Sequence, residues 1–150
     1  LYKSVMGIGG LLAQGVGDTI RVSLTAPPVE EIAMGKDILK AAGLDKGLEI
    51  VACPTCGRAS VDVISVTHKV EHALQAYESL PITVAVMGCV VNGPGEAKEA
   101  DLGITGGRAG RYALFQKGEI LETLSEDAVL PRLLEEVESL AKRMIKEGSA

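Results

Sequence analysis

The longest apolar run of the chain, Ile82–Val91, constrains the fold more than any other feature. It lies between Pro81 and Asn92 and has only about half of the ~20 residues that a membrane-spanning helix needs. A short apolar run between turn-forming residues is typical of a buried strand. We therefore expect a globular domain built on a sheet, and no membrane partner.

The composition fits one compact core and argues against nucleic acid as a partner. Of the 150 residues, 47% are hydrophobic, which is enough for one domain, or for one domain and a further fragment. The net charge is −5 at pH 7, whereas a surface that binds nucleic-acid phosphates needs a surplus of Lys and Arg. With three tyrosines, one phenylalanine and no tryptophan, stacking on bases is poorly supported.

The number of cysteines and the first residues indicate where such a chain works. Three cysteines cannot all pair within one chain, and no charged-then-apolar signal segment opens the sequence. We therefore expect a protein of the reducing cytoplasm. Because the first residue is Leu1 rather than Met, we also expect the chain to be a piece of a longer polypeptide.

Two patterns in the first third of the chain predict a strand followed by a helix. Over Asp18–Thr25, apolar side chains alternate with polar ones, with Arg21 and Ser23 on the polar face. Over Val29–Ala42 the pattern predicts a helix that is entered through a proline and closed by Gly43. One strand followed by one helix is the repeating unit of an α/β barrel.

The remaining residues predict an α+β module, which we separate from the barrel-like unit near Leu44–Gly47. Helices are predicted over Ser60–Ser79 and, with an amphipathic pattern, over Asp127–Glu147. The predicted strands are Leu48–Ala52, Ile82–Gly88, and a meander of Leu102–Thr105, Arg111–Phe115 and Glu119–Glu122. The core side of the last helix is predicted to carry Leu130, Leu133, Leu134, Val137, Leu140, Met144 and Ile145.

All three cysteines, Cys53, Cys56 and Cys89, lie just beyond the ends of predicted buried strands. A rigid sheet can aim thiolates from its end loops at one point. The Cys53-x2-Cys56 pair occurs in zinc sites, in redox-active dithiols and in iron–sulfur sites. Free cysteines are also among the most buried residues, so a purely structural role is a further possibility.

The sharpest alternative is a zinc-stabilised binding module, because His68-x3-His72 follows the cysteine pair at nearly the spacing of a zinc finger. On the predicted helix, however, the two histidines fall about 140° and about 180° from Val63, opposite the apolar stripe. We therefore expect both to lie on a solvated face. The zinc interpretation, like the redox dithiol, also leaves Cys89 without a role.

An iron–sulfur site would use all three cysteines. Three thiolates and one weaker ligand suit a four-iron cluster in which one iron exchanges that ligand for a substrate oxygen. Glu96 follows Cys89 through the turn-forming residues Asn92–Gly95, which can bring its carboxylate back toward Cys89. An ordinary surface turn would have the same residue types.

Several segments of the chain closely resemble the 4-hydroxy-3-methylbut-2-enyl diphosphate synthase family, also called IspG or GcpE. They are Gly17–Thr25, Cys53–Arg58, Met87–Glu96 and Gly103–Gly107. The likeness extends over essentially the whole chain. It implies an α/β part, residues 1–44, that is the last strand–helix unit of a TIM-type barrel. It further implies that residues 45–150 form a small α+β domain of the sulfite and nitrite reductase type, with a four-iron, four-sulfur (4Fe-4S) cluster.

The resemblance implies an oxidoreductase of the non-mevalonate isoprenoid pathway. Its reaction is the reductive ring opening and dehydration of 2-C-methyl-D-erythritol 2,4-cyclodiphosphate, with electrons from ferredoxin or flavodoxin. The implied site residues are the cluster ligands Cys53, Cys56, Cys89 and Glu96, the diphosphate-binding Arg21 and Ser23, and Asn92, which reaches the substrate from the cluster side. Glu96 and Asn92 are the implied catalytic residues.

One departure from the family pattern concerns the barrel. Family members carry a full eight-stranded barrel of about 250 residues ahead of the cluster domain, whereas this chain has one predicted unit of it. We therefore expect the chain to be inactive by itself. In the family, the site forms between the barrel of one subunit and the cluster domain of its partner, which implies a homodimer. A non-catalytic electron-transfer module is the remaining alternative.

Overall fold

The computed structural model describes residues 2–90 and 97–147, and the chain divides into two compact units, Leu1–Gly47 and Leu48–Ala150. No helix in the described ranges is long and apolar enough to cross a membrane.

The first unit contains two helices, α1 (Tyr2–Leu12) and α2 (Pro28–Ala41), and its residues 2–47 contain no strand. The predicted strand over Asp18–Thr25 is therefore wrong. A strand needs a neighbouring strand to bond its backbone N–H and C=O groups, and none is present in this range. Helix α1 was not predicted, since its three glycines weaken the helical pattern.

The segment between α1 and α2 nevertheless keeps the predicted alternation of faces. Val22 is buried against Ile38 of α2, while Arg21 and Ser23 on either side of it are exposed. The backbone N–H of Leu24 donates to Glu31 Oε1 at 2.9 Å. A side chain of α2 thus satisfies one backbone group that a neighbouring strand would otherwise bond.

Helix α2 confirms the prediction of a helix entered through a proline. Pro28 is its first residue, where the missing N–H costs no hydrogen bond. After the helix ends at Ala41, Gly43 adopts a φ of +69°, a conformation that glycine accepts without steric cost.

The second unit is built on one five-stranded sheet in the order β1-β2-β3-β4-β5. The first three strands run parallel. The last two pair antiparallel and complete the predicted meander with β3. All five predicted strands are confirmed, with bounds that shift by one or two residues. The strands are β1 (Glu49–Ala52), β2 (Thr83–Met87), β3 (Leu102–Gly106), β4 (Tyr112–Gln116) and β5 (Glu119–Leu124).

Within residues 48–90 and 97–147, two helices cover one face of this sheet, α3 (Val63–Leu74) and α4 (Glu126–Glu147). A short 3₁₀ helix (Gln75–Tyr77) follows α3. Helix α3 begins later than predicted because Asp62 caps it, its carboxylate accepting from the Ser65 N–H at 3.1 Å. The buried side chains between helices and sheet include Val66, Val70, Leu74, Val84, Val86, Leu102, Ile104, Leu114, Leu133 and Val137.

The face of α4 agrees with the predicted core side except at one position. Leu133 and Val137 are buried, and Leu130, Leu134, Leu140 and Met144 pack against the core. Ile145 is 62% exposed, so its predicted place in the core is wrong. It lies in the last turn of α4, directly after Met144, which still packs against the core.

The other face of the sheet carries a smaller apolar cluster of Ala85, Met87, Ala97, Ala100 and Phe115. Its largest member, Phe115 of β4, is fully buried and lies opposite Gly103 of β3. Cys53 packs against the same cluster. The apolar cluster on this face therefore extends to Cys53, the first residue after β1.

Candidate metal centre

Cys53 and Cys89 leave the sheet at the same edge. Cys53 directly follows β1, and Cys89 follows β2 after Gly88. Strands β1 and β2 are parallel neighbours, with Ala52 opposite Val86, so the loops that follow them begin side by side. The Cys53 N–H donates to the Val86 C=O at 3.1 Å, which extends the pairing one residue beyond β1.

The sulfur of Cys53 accepts a hydrogen bond from the backbone. The Gly88 N–H donates to Cys53 Sγ, with 3.1 Å between nitrogen and sulfur. Backbone N–H groups directed at cysteine sulfur reduce the effective charge on a thiolate, and they are one means of tuning iron–sulfur clusters. The residue that directly follows β2 thus contacts the sulfur of the residue that directly follows β1.

Cys56 lies on the loop between β1 and α3 and is exposed, whereas Cys53 and Cys89 are half-buried. The Cys56 C=O accepts from the Ala59 N–H at 3.0 Å, which closes a turn. After this turn the Ser60 N–H donates to the Gly88 C=O at 2.9 Å. The loop therefore returns to the end of β2, and all three cysteines are free thiols.

A cleft of about 350 Å³ lies between this loop and α3. Its lining includes Cys53, Pro54, Thr67, His68 and Glu71. The hydroxyl oxygen of Thr67 is buried and has no hydrogen-bond partner among residues 2–90 and 97–147.

His68 and His72 are both exposed, which confirms their predicted place on the solvated face of the helix. His68 nevertheless lines the cleft that Cys53 also lines. The two histidines therefore lie on the exposed face of α3, as the argument against zinc requires. Their exposure does not keep His68 away from Cys53, because both residues line this cleft.

The structure does not present a closed set of metal ligands. In the part of the chain that it describes, no group of three or more His, Cys, Asp or Glu side chains is arranged to hold a metal ion. Asn92 and Glu96, two of the predicted site residues, lie outside the described residues. What fits an iron–sulfur cluster is the donor set: thiols at one sheet edge, one of which accepts a backbone N–H.

Two further polar side chains, those of Tyr112 and Thr105, lie near the edge of the sheet where the cysteines are. Tyr112 pairs with Gly106 across β3 and β4, and burial raises its pKa, with Glu126 and Asp62 adding to the shift. It therefore stays a neutral phenol at neutral pH. Thr105, the next-to-last residue of β3, is fully buried, and its hydroxyl has no partner within residues 2–90 and 97–147.

Sequence reasoning missed three residues of this edge, Ser60, Gly88 and Gly106. A Cβ at Gly106 would lie 2.5 Å from the Gly88 C=O oxygen and 2.7 Å from Ser60 Oγ. Glycine is therefore required where the end of β3 meets the end of β2. The available signal was a glycine next to Cys89 and another at the end of the following strand.

Arg21 and Ser23, the predicted diphosphate contacts, belong to the first unit. Both are exposed on the segment between α1 and α2, and they flank the buried Val22. This arrangement directs both polar residues away from the core of their own unit. Their predicted role in binding the substrate stays a prediction.

Comparison with known proteins identifies two matching family models. The GcpE TIM-barrel domain matches residues 1–36, and the GcpE protein C-terminal domain matches residues 49–139. The second match covers the five-stranded sheet and most of α4.

Curated relatives are similar over nearly the whole chain. A protein of Streptomyces coelicolor named 4-hydroxy-3-methylbut-2-en-1-yl diphosphate synthase (flavodoxin) 2 is 52% identical over 147 residues, 97% of this chain and 38% of its own length. Synthases of the same name from Frankia alni and Clostridium acetobutylicum are each 52% identical, over 98% and 92% of the chain respectively. The chain spans 38% and 39% of the lengths of these two relatives.

Proposed function

This chain belongs to the GcpE family, and we propose that it supplies the iron–sulfur domain of a 4-hydroxy-3-methylbut-2-enyl diphosphate synthase. The observation that carries the proposal is the convergence of Cys53 and Cys89 at one edge of the sheet. The cysteine positions follow from the sheet itself, since parallel neighbouring strands end at the same edge.

In this proposal Cys53, Cys56, Cys89 and Glu96 hold a 4Fe-4S cluster. When bound, the cluster supplies electrons one at a time and one iron that can accept a substrate oxygen. The Gly88 N–H stabilises the Cys53 sulfur in its anionic form. Cys56 is exposed on the loop between β1 and α3, where the Ala59 N–H donates to its C=O and closes a turn.

The substrate of the proposed reaction is 2-C-methyl-D-erythritol 2,4-cyclodiphosphate. Two electrons and two protons open its ring and release water, giving 4-hydroxy-3-methylbut-2-enyl diphosphate. Arg21 and Ser23 bind the diphosphate, because a planar guanidinium pairs with two phosphate oxygens at once. Asn92 contacts the substrate from the cluster side.

The electron donor in this proposal is a flavodoxin, which the names of the relatives specify for those proteins. Residues 1–44 are assigned to the last unit of a TIM-type barrel, and residues 45–150 to a domain of the sulfite and nitrite reductase type. The relatives are more than twice as long as this chain, so a complete site would require further barrel units. A homodimer would place one subunit's barrel against its partner's cluster domain.

A second candidate function is a zinc-stabilised binding module. The observation in its favour is that His68 lines the same cleft as Cys53. It leaves Cys89 without a role, whereas the cluster proposal uses all three cysteines. Metal analysis combined with a visible spectrum separates the two candidates. A zinc site contains no iron and does not absorb visible light, whereas an iron–sulfur cluster does.

The experiment that tests the proposed function is a turnover assay. The 150-residue chain is reconstituted anaerobically with iron and sulfide, then mixed with a strong one-electron reductant and the cyclic diphosphate. We expect no turnover by the chain alone, because Arg21, Ser23 and Asn92 are its only recognisable substrate contacts, too few to fix a diphosphate. Adding the barrel segment of a relative in trans is expected to restore product formation.

The Arg21→Ala substitution tests the predicted diphosphate contact, in a full-length fusion of this chain with that barrel segment. Loss of a charge-assisted hydrogen bond is expected to raise the dissociation constant of the substrate roughly 10- to 100-fold. The cluster spectrum should not change, because Arg21 belongs to the first unit. An unaltered binding curve would refute the role of Arg21, and a cluster spectrum insensitive to substrate in the fusion would favour a plain electron-transfer module.

A further inference from the structure

Gly88 connects the two cysteines that leave the sheet at one edge. Its N–H donates to Cys53 Sγ at 3.1 Å, and the next residue along the chain is Cys89. Its C=O accepts two hydrogen bonds from Ser60, from the backbone N–H at 2.9 Å and from Oγ at 3.2 Å. The two peptide groups that flank Gly88 are therefore both fixed by hydrogen bonds.

The packing around Gly88 leaves little space for other orientations. A Cβ on this residue would lie 2.8 Å from Val63 Cγ2 and 3.0 Å from Ala59 Cβ. A Cβ on Gly106 would come within 2.7 Å of Ser60 Oγ, so the hydroxyl lies directly beside the end of β3. The bonds that Ser60 makes thus act on a peptide already confined by neighbours on several sides.

The hydroxyl of Ser60 is not needed to satisfy a buried polar group of its own. Ser60 is exposed, and its hydroxyl could bond water instead. The Gly88 C=O would also keep one protein donor, the Ser60 N–H, without it. The additional bond therefore contributes to the orientation of the Gly88 C=O rather than to the satisfaction of its hydrogen-bonding capacity.

We propose that Ser60 is a positioning residue of the iron–sulfur site. By holding the Gly88 C=O, it keeps the Gly88 N–H directed at Cys53 Sγ and sets the direction in which Cys89 leaves β2. The redox consequence rests on the proposed function. N–H bonds to cysteine sulfur favour the reduced, more negatively charged cluster, so an intact Ser60 raises its reduction potential.

The first test uses the metal-free, reduced chain and measures amide hydrogen exchange at Gly88 by NMR. Ser60→Ala is expected to speed exchange roughly fivefold, the ratio that corresponds to about 1 kcal/mol for one neutral hydrogen bond. Ser60→Thr, which keeps the hydroxyl, should restore the wild-type rate. Ser79→Ala, at an exposed serine in the turn before β2, is the matched control and should leave the rate unchanged.

The second test measures the reduction potential of the reconstituted proteins by spectroelectrochemistry. We expect Ser60→Ala to shift the potential to more negative values and Ser60→Thr and Ser79→Ala to match the wild type. Equal Gly88 exchange rates in Ser60→Ala and wild type would overturn the positioning role. Faster exchange with an unchanged potential would overturn the redox consequence. If the wild type takes up no cluster, the proposed function fails, and the exchange measurement still decides whether Ser60 positions Gly88.

Discussion

Replacing Cys89 by serine is expected to leave the reconstituted chain with a labile cluster or none. A serine hydroxyl is not ionised at neutral pH, and an alkoxide is a harder ligand than the thiolate that iron–sulfur clusters require. Changes to groups that only support metal ligands already lower affinity by roughly 10- to 100-fold, so loss of a ligand itself should exceed that range. Iron content after desalting measures the effect.

The same measurement on Cys53→Ser and Cys56→Ser completes the comparison. We expect all three variants to lose iron, whereas Glu96→Gln should lose less, because a carboxylate binds one iron and must yield to the substrate. Circular dichroism of the metal-free proteins controls for folding. The serine substitutions should leave the fold intact, because none of the three thiols makes a disulfide. Stable cluster content in Cys89→Ser would remove Cys89 from the ligands and revive the zinc interpretation.

Replacing Gly103 by alanine is expected to destabilise the second unit severely. A Cβ at this position would lie 2.3 Å from Phe115 Cζ and 2.7 Å from the Ala85 C=O oxygen. The ring is fully buried and the oxygen belongs to β2, so neither can move away without disturbing the sheet. Overpacking of a core costs about 1–3 kcal/mol or more, against a total stability of about 5–15 kcal/mol for a typical domain.

Urea unfolding of the metal-free chain measures this loss of stability. Gly57→Ala is the matched control, because a Cβ at Gly57 meets no atom within 4 Å. Combining Gly103→Ala with Phe115→Leu should restore part of the stability, since it removes the ring but leaves the contact with the Ala85 C=O. If Gly103→Ala unfolds at the same urea concentration as Gly57→Ala, the packing of Phe115 on Gly103 is not as described.

Much of the second unit could be predicted from its sequence because its patterns are local. The apolar run at Ile82–Val91 contains β2, and the stripe of α3 keeps its 3.6-residue period. The start of α3 differs because it depends on a single capping residue, Asp62. Periodicity shows which face of a helix is buried, but it does not show that every apolar residue near that face is buried, as Ile145 demonstrates.

The first unit shows the limit of local patterns. Over Asp18–Thr25 the alternation of buried and exposed residues was correct, yet no strand forms. Alternation describes the two faces of an extended segment, whereas a strand also requires a hydrogen-bonded neighbour. That neighbour is a property of the rest of the fold, and it is not encoded in the segment.

The candidate site likewise has some features that local sequence patterns predict and others that depend on the rest of the fold. The sequence places each cysteine after a strand, which is a local inference, and the structure puts Cys53 and Cys89 at one edge. The bond from Gly88 to Cys53 joins residues 35 positions apart, and the bonds from Ser60 to Gly88 span 28. Contacts of this kind depend on the register of β1 and β2, which no motif in the sequence specifies.

The measurement that tests the three-cysteine centre most directly is Mössbauer spectroscopy of the anaerobically reconstituted wild-type chain, combined with iron and zinc analysis. A cluster held by three thiolates and one carboxylate predicts about four irons per chain, one of them spectroscopically distinct from the other three. One tightly bound zinc per chain, with no iron–sulfur signal, would contradict it.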